Sequence, residues 1–326
     1  MRASEIAERA LLGAILIERE RLANVQDWLE PEDFYAYRHG LVYGEILKLH
    51  ADGQSPTPRA VLDRMLPVAD TRRLVNGPFL HTLMESCPHP SRAAIYGRMV
   101  LEASIHRRTT ERAEHLGYLA KSTSPADIVI EALASEATDW TRDLDALDER
   151  WLLSGGEINQ AGEIVPSSSV ADPPRIANEA AEVSAVASLL AHPRQLEQVV
   201  NWLRPEDFTR PETRALYTAI TDIAATAQPV DPITVMWAAV RHEGAIERVG
   251  YEAVSRLARA GIPGYAVVSG RAVLEASLRN EASVTASRLA AVGRRADHRP
   301  AAITLAVRAE LACVATDVRR WPAATG

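Results

Sequence analysis

Lysine is almost missing from these 326 residues. Only Lys48 and Lys121 occur among 36 basic side chains, so nearly all positive charge is guanidinium. The plainest source of that bias is a GC-rich coding sequence, although arginine is also the better fork for carboxylates and phosphates. A nucleotide phosphate loop needs Gly-Lys-Ser/Thr after a glycine four residues earlier. Lys48 follows Leu47 and Lys121 follows Ala120, so no such loop occurs in the sequence. Cysteine is equally scarce. Cys87 and Cys313 lie in different halves, which implies no disulfide framework and fits a reducing compartment. No run of roughly 18 apolar residues suggests a membrane span, and Met1-Arg2-Ala3-Ser4-Glu5 is not a signal-peptide start. A cytoplasmic protein is expected. Basic surplus is also lacking. A net charge of −7 speaks against a dominant nucleic-acid footprint, leaving room only for a local arginine stripe. Aromatics are only 5%, and alanine is abundant, which favours helices.

What the chain does have is a repeat. Trp28-Leu29-Glu30-Pro31-Glu32-Asp33-Phe34 returns 174 residues later as Trp202-Leu203-Arg204-Pro205-Glu206-Asp207-Phe208, with one substitution. Such a match requires the chain to be read as two copies of one unit. In the first, the spacing of Leu11, Leu12, Ile15 and Leu16 predicts a helix to about Ile17, with Ser4 as its cap. Pro31 stops a short amphipathic turn, and Glu32-Asp33 suit the free N–H groups of a new one. Another helix is expected from about His39 to His50, stopped by Asp52-Gly53. Thr57-Pro58 opens the next as cap and first position, with Val61, Leu62, Met65 and Leu66 inward. A short helix is expected around Phe79, Leu80 and Leu83. Two long helical patterns then follow, about Ala93–Ala120 and Ser124–Leu153, with Ile128, Ile130, Leu133, Ala137 and Trp140 at apolar positions of the latter. Joined by a short Ser/Thr turn, they read as an antiparallel hairpin.

From Ser154 to Pro174 glycine, serine and proline replace periodicity, which predicts a flexible linker over 154–175. The pattern then restarts. Glu179–Leu190 answers to the first helix, Tyr217 and Ile220 to Tyr43 and Ile46, and Val273-Leu274-Glu275-Ala276-Ser277 to Val100-Leu101-Glu102-Ala103-Ser104. A second hairpin is expected from about Val268 to Arg295 and from Pro300 to Trp321. The fold expectation is all-α: domain copies over 1–153 and 176–326, each a small helical head followed by a hairpin.

Several residues carry a family resemblance. Glu8, Leu12 and Gly13, then Asp33-Phe34-Tyr35 and His39, resemble the N-terminal domain of the DnaB-type replicative helicases. In the second copy Asp207-Phe208, Arg210-Pro211, Pro229-Val230-Asp231-Pro232-Ile233-Thr234, Gly244 and Val249-Gly250 resemble it again. Each copy keeps parts the other has lost: Gly13 becomes Ala187, His39 becomes Thr213, and Asp231 answers to Thr57. The resemblance implies a helical head with a hairpin. In the helicases such domains pair through hairpins into a collar over the motor ring, where primase and loaders act. The ATPase domain that follows in the family has no counterpart here, so ATP hydrolysis and unwinding are not expected of these residues.

Trp28, Pro31, Asp33 and Phe34, with Trp202, Pro205, Asp207 and Phe208, are therefore read as a structural signature rather than a catalytic site. Cys87, His81 and His89 fit no common zinc spacing, so neither metal nor cofactor is expected. Ser167-Ser168-Ser169 has no His/Asp context. Arg107, Arg108, Arg112, Arg294 and Arg295 are the candidate partner-contact residues, against the plainer reading of a solvated helix face. Three functional readings stay open. The first is a non-catalytic replication adaptor that binds a replicative helicase, a primase or a helicase loader, with self-association through the hairpins. The second is the non-motor subunit of a split helicase with its ATPase on another chain. The third is an accessory DNA-binding protein that uses the arginine faces.

Overall fold

The computed structural model describes residues 3–65, 73–157, 172–240 and 250–326. Among them all regular structure is helical and no strand occurs. The first head contains α1 (Ala3–Ile17), α2 (Tyr37–Ala51), α3 (Pro58–Met65) and α4 (Gly77–Glu85), and its hairpin is α5 (Ala93–Ala120) with α6 (Ala126–Leu153). The second head contains α7 (Glu179–Ala191), α8 (Leu196–Val199), α9 (Pro211–Ala225), α10 (Pro232–Ala239) and α11 (Tyr251–Ala260). Its hairpin is α12 (Tyr265–Arg294) with α13 (Pro300–Val318), closed by the short α14 (Trp321–Thr325). No helix among the described residues is long and apolar enough to cross a membrane.

Local chemistry explains most boundaries. Thr57 Oγ1 accepts the Ala60 N–H at 3.2 Å to cap α3, and Asp231 Oδ1 accepts Ile233 and Thr234 N–H at 2.8 and 3.1 Å to cap α10. Gly53 follows α2 with φ +70°, a conformation that a side chain would resist. Asn76 is a helix cap rather than part of a free turn: its side chain accepts the Phe79 N–H at 2.9 Å. Ser4 does not cap α1, which begins one residue earlier. Ile128, apolar by spacing, is 59% exposed, and Leu62 is half-buried. Leu66, Gly244 and Val249, and 158–171 of the expected linker with Ser167-Ser168-Ser169, lie outside the described residues. At the linker's far end the backbone of Ile176 is bound at both polar groups by Asn280, at 2.9 and 3.0 Å.

The chain falls into two compact units. One holds Met1–Arg112, Trp140–Ser168 and Leu289–Arg308; the other holds Ala113–Asp139, Ser169–Arg288 and Ala309–Gly326. The compact units cut across the sequence copies. Each contains one head, the base of that head's hairpin, and the tip of the other copy's hairpin.

In the first unit α1 packs on α4 and α2, and α3 on α2. Leu11, Leu12, Ile15, Val42, Tyr43, Ile46 and Leu83 fill the core without exposure. The hairpin tip that joins this unit is held through His106 of α5. Its two ring nitrogens lie 3.1 Å from the carbonyls of Gly293 and His298. Arg308 ties the same segment to Asp145 and Asp148, at 2.8 Å each.

In the second unit α7 packs on α11 and α9, and α10 on α9 and α11, the same plan. Here the tip is received by Arg279 of α12, which donates to the carbonyls of Ala120, Ser122 and Ser124 at 3.4, 2.6 and 3.1 Å. Trp321 Nε1 donates to Asp127 at 2.8 Å. His106 and Arg279 stand 173 residues apart, the offset of the repeated Val-Leu-Glu-Ala-Ser run. One position therefore grips a hairpin tip in both units, using different donors on main-chain acceptors.

The head cores show a second exchange. A Cβ on Gly13 would lie 2.2 Å from the Leu83 carbonyl oxygen and 2.9 Å from Cys87 Cβ. In the second head the α7 residue is Ala187, and the residue answering to Cys87 is Gly261, where a Cβ would lie 2.2 Å from the Ala187 carbonyl oxygen. The close approach survives because the glycine moved to the opposite partner. Gly13→Ala is expected to cost about 1–3 kcal/mol through overpacking, seen as a lower urea midpoint. Adding Cys87→Gly should recover part of that loss, giving a favourable coupling in a double-mutant cycle.

Candidate functional site: the head–hairpin joint and its arginines

The repeated stretch forms the joint between head and hairpin. In each copy Pro31–Asp33 or Pro205–Asp207 makes one 3₁₀ turn. The flanking aromatics are anchors. Phe34 packs on Tyr43 with ring centroids 5.1 Å apart, and Phe208 on Tyr217 at 4.7 Å. Trp28 and Trp202 lie against glycines of the hairpin: a Cβ on Gly97 or Gly270 would fall 2.8 or 2.9 Å from the indole Cη2. Their Nε1 groups donate to Asn24 and Gln198 carbonyls at 3.0 and 2.8 Å.

The aspartates are buried. Asp33, at 0% exposure, accepts the Glu30 N–H at 2.8 Å and the Ser104 hydroxyl at 2.9 Å. Arg108 reaches its Oδ1 at 3.2 Å, and Arg150 pairs with its Oδ2 while donating to the Trp28 carbonyl at 2.8 Å. Asp207 repeats this with the Arg204 N–H at 2.7 Å, Ser277 at 2.8 Å and Arg320 at 2.7 Å. Arg320 also donates to the Trp202 carbonyl at 3.2 Å. Asp33 therefore closes a turn and fastens it to both hairpin helices, and Asp207 fastens its own turn to α12 and to the turn that follows α13. With both oxygens engaged, they are poorly placed to move a substrate proton.

A second buried carboxylate sets the entry to α2 and α9. Glu8 accepts the Tyr35 and Ala36 N–H groups and lies 2.6 Å from His39 Nδ1. Glu182 accepts the Thr209 N–H at 2.9 Å and Arg210 N–H at 3.2 Å, with the Thr213 hydroxyl in place of the histidine. Thus the exchange of His39 for Thr213 preserves a partner for the same acid. Tyr217 donates to the Leu203 carbonyl at 2.8 Å, whereas the Tyr43 hydroxyl finds no partner among the described residues. Burial, then the nearby aspartate, pushes both phenols upward, so they stay neutral. Burial also pushes the Cys87 thiol up, away from a reactive thiolate.

The candidate contact arginines are largely engaged within the chain. Arg107 donates to the carbonyls of Glu32 and Asp33 at 2.8 and 3.2 Å. Arg108 joins the Asp33 cluster. Arg112 pairs with Asp143 and lies 5.7 Å over the Trp140 ring. Arg295 hydrogen-bonds Asp297 and holds that carboxyl down at about 2. Arg294 and Arg107 share an open groove of about 600 Å³ with Tyr35, His106 and Glu111.

Sequence reasoning missed Ser104, Arg150, Ser277 and Arg320 as joint residues, and Gly97, Gly270, His106 and Arg279 as packing and tip contacts. The signals existed. Ser104 and Ser277 close the Val-Leu-Glu-Ala-Ser repeat, Gly97-Arg98 recurs as Gly270-Arg271, and Arg150-Trp151 recurs as Arg320-Trp321.

The model of the DnaB-like helicase N-terminal domain matches residues 1–102 and 175–267, more than half of the chain. The chain belongs to that family. The DnaB-like match ends within α5 in one copy and at the start of α12 in the other, so the remaining hairpin rests on the internal repeat. Among relatives, the replicative DNA helicase DnaB of Mycobacterium leprae is 34% identical over 135 residues, covering 39% of this chain and 22% of that protein. The replicative DNA helicase DnaB of Leifsonia xyli is 30% identical over 119 residues, covering 36% and 26%. The chain thus spans about a quarter of the length of these DnaB relatives. The crystal structure of the N-terminal domain of DnaB helicase from Mycobacterium tuberculosis is 28% identical, covers 41% of this chain and 96% of that chain, and superposes with a TM-score of 0.38. Only the N-terminal DnaB domain is matched, not the ATPase domain.

Breaking a buried ion pair strands a charge, whereas breaking an exposed one strands nothing. Asp33→Asn and Asp207→Asn are each expected to destabilise by about 3 kcal/mol. The exposed Arg59–Asp63 pair, at 2.9 Å, should change by under about 1 kcal/mol on Asp63→Asn. Chemical denaturation of the three variants checks the contrast.

Proposed function

We propose that this chain is a non-catalytic adaptor of DNA replication in the cytoplasm. It carries two DnaB collar-type domains, over 1–153 and 176–326, in one polypeptide. It acts by contact with a replicative helicase, a primase or a helicase loader. The observation that supports this most is the composition of the compact units: each head is completed by the hairpin tip of the other copy. A pairing that separate chains would make by association is thereby written into one chain. The family match, confined to the N-terminal domain, supports a role beside a motor rather than as one. Of Arg107, Arg108, Arg112, Arg294 and Arg295, the pair Arg107 and Arg294 lines one shared open groove and is the favoured point of partner contact.

Two measurements test this reading. Light scattering after gel filtration should give a monomer near 35.6 kDa. Immobilised chain should capture replicative helicase, primase or loader from purified components, and Arg294→Glu should weaken that capture about tenfold, as loss of a contact arginine does. Capture of none of the three removes the adaptor reading.

A further inference from the structure

Arg98 and Arg271 hold the same place in the two copies. Each follows a glycine, Gly97 or Gly270, and each stands two residues before the Val-Leu-Glu-Ala-Ser run. In the second unit Arg271 Nε donates to the Ala324 carbonyl. In the first unit Arg98 has no hydrogen bond or ion pair among the described residues, and its Nε is buried without a partner. Guanidinium keeps its charge and all five donors under any ordinary condition, so the buried Nε–H of Arg98 is left without an acceptor among the described residues.

The reason lies in how the two hairpins end. After α13 stops at Val318, a new turn starts at Trp321 and brings the Ala324 carbonyl back over Arg271. In the first copy α6 runs on to Leu153, and the chain then departs. Gly155 takes φ +80°, and Gly156 lies flat on the Trp151 indole, where a Cβ would meet the ring at 2.3 Å. Among the described residues no carbonyl meets Arg98 as that of Ala324 meets Arg271. A cavity of about 310 Å³ opens instead, lined by Arg98, Glu102, Trp151, Glu157, Arg299 and Pro300.

We propose that this cavity is a binding site for a carboxylate carried on a small planar or apolar body. The carboxylate forms a two-pronged pair with Arg98 where a carbonyl meets Arg271. Trp151 and Pro300 supply the apolar wall. Glu102 and Glu157 beside the arginines favour a monoanion over a phosphate dianion, because two further negative charges would face them. The volume is at the small end of ligand sites, on the order of 300 Å³. A free aromatic acid and the C-terminal residue of a peptide share this chemistry.

The full chain gives a direct readout, since Trp151 is one of six tryptophans and its Nε1 faces the Glu157 carbonyl at 3.4 Å. Indole N–H signals are followed by NMR while sodium benzoate is added, with Trp151→Phe assigning the peak. A saturable shift of the Trp151 signal is expected, with the others still. Arg98→Met should weaken binding at least about tenfold, the loss of one charge-assisted pair. Arg98→Lys, which keeps charge and stem but loses the fork, should weaken it by about threefold or more. A short peptide with a free C-terminal carboxylate, run beside its amide, identifies the source: acid binding above benzoate with no amide response places the carboxylate on a chain end, and the reverse order places it on a free acid. The proposal is overturned if neither probe shifts Trp151 saturably, if both arginine variants titrate like the parent, or if inorganic phosphate displaces benzoate at equal concentration.

Discussion

A carboxylate with 0% exposure has lost its water and must be repaid in hydrogen bonds and opposite charge. Asp33 meets that demand with a backbone N–H, a serine from one hairpin helix and an arginine from the other. The geometry of head on hairpin follows, because a rotation at the joint would strand Arg150 or Asp33. The joint also fixes what can change. Trp28 can approach α5 this closely only because Gly97 has no side chain, and Ser104, two turns further along the same helix face, reaches Asp33. Asp207, Arg320, Gly270 and Ser277 reproduce every one of these constraints.

Away from the joint the copies have diverged by exchanges that keep the local account closed. Glu8 and Glu182 need a donor at the start of the next helix, and a histidine or a threonine serves. The tight crossing of the first helix needs one glycine, and either partner can supply it. The hairpin tips expose main-chain carbonyls, and either an imidazole or a guanidinium can bind them. At Arg98 the exchange is incomplete, and there the unit has a cavity where its counterpart has a carbonyl.

The helical class, the helices of the first copy and the long helices of both copies were legible in the sequence, because apolar period, caps and prolines are local. Ala93–Ala120 and Thr57 at the head of α3 are cases where spacing or capping chemistry sufficed. Ile128 shows the limit: periodicity gives the apolar stripe but not what covers it. Arg150 was hidden for another reason. It lies 117 residues from Asp33, on a helix whose one other arginine, Arg142, is exposed, and only its recurrence as Arg-Trp set it apart. The sharing of hairpin tips between copies is longer in range still and leaves no local mark.

That sharing bears on function through concentration. Two collar domains on separate chains pair only above their dissociation constant, whereas tethered copies meet at an effective concentration in the millimolar range. Main-chain acceptors at the tips make the pairing tolerant of sequence drift, since a carbonyl survives any substitution of its side chain. A covalent pair with tolerant contacts keeps each tip seated even when the chain is scarce. The proposed adaptor role would draw on that persistence.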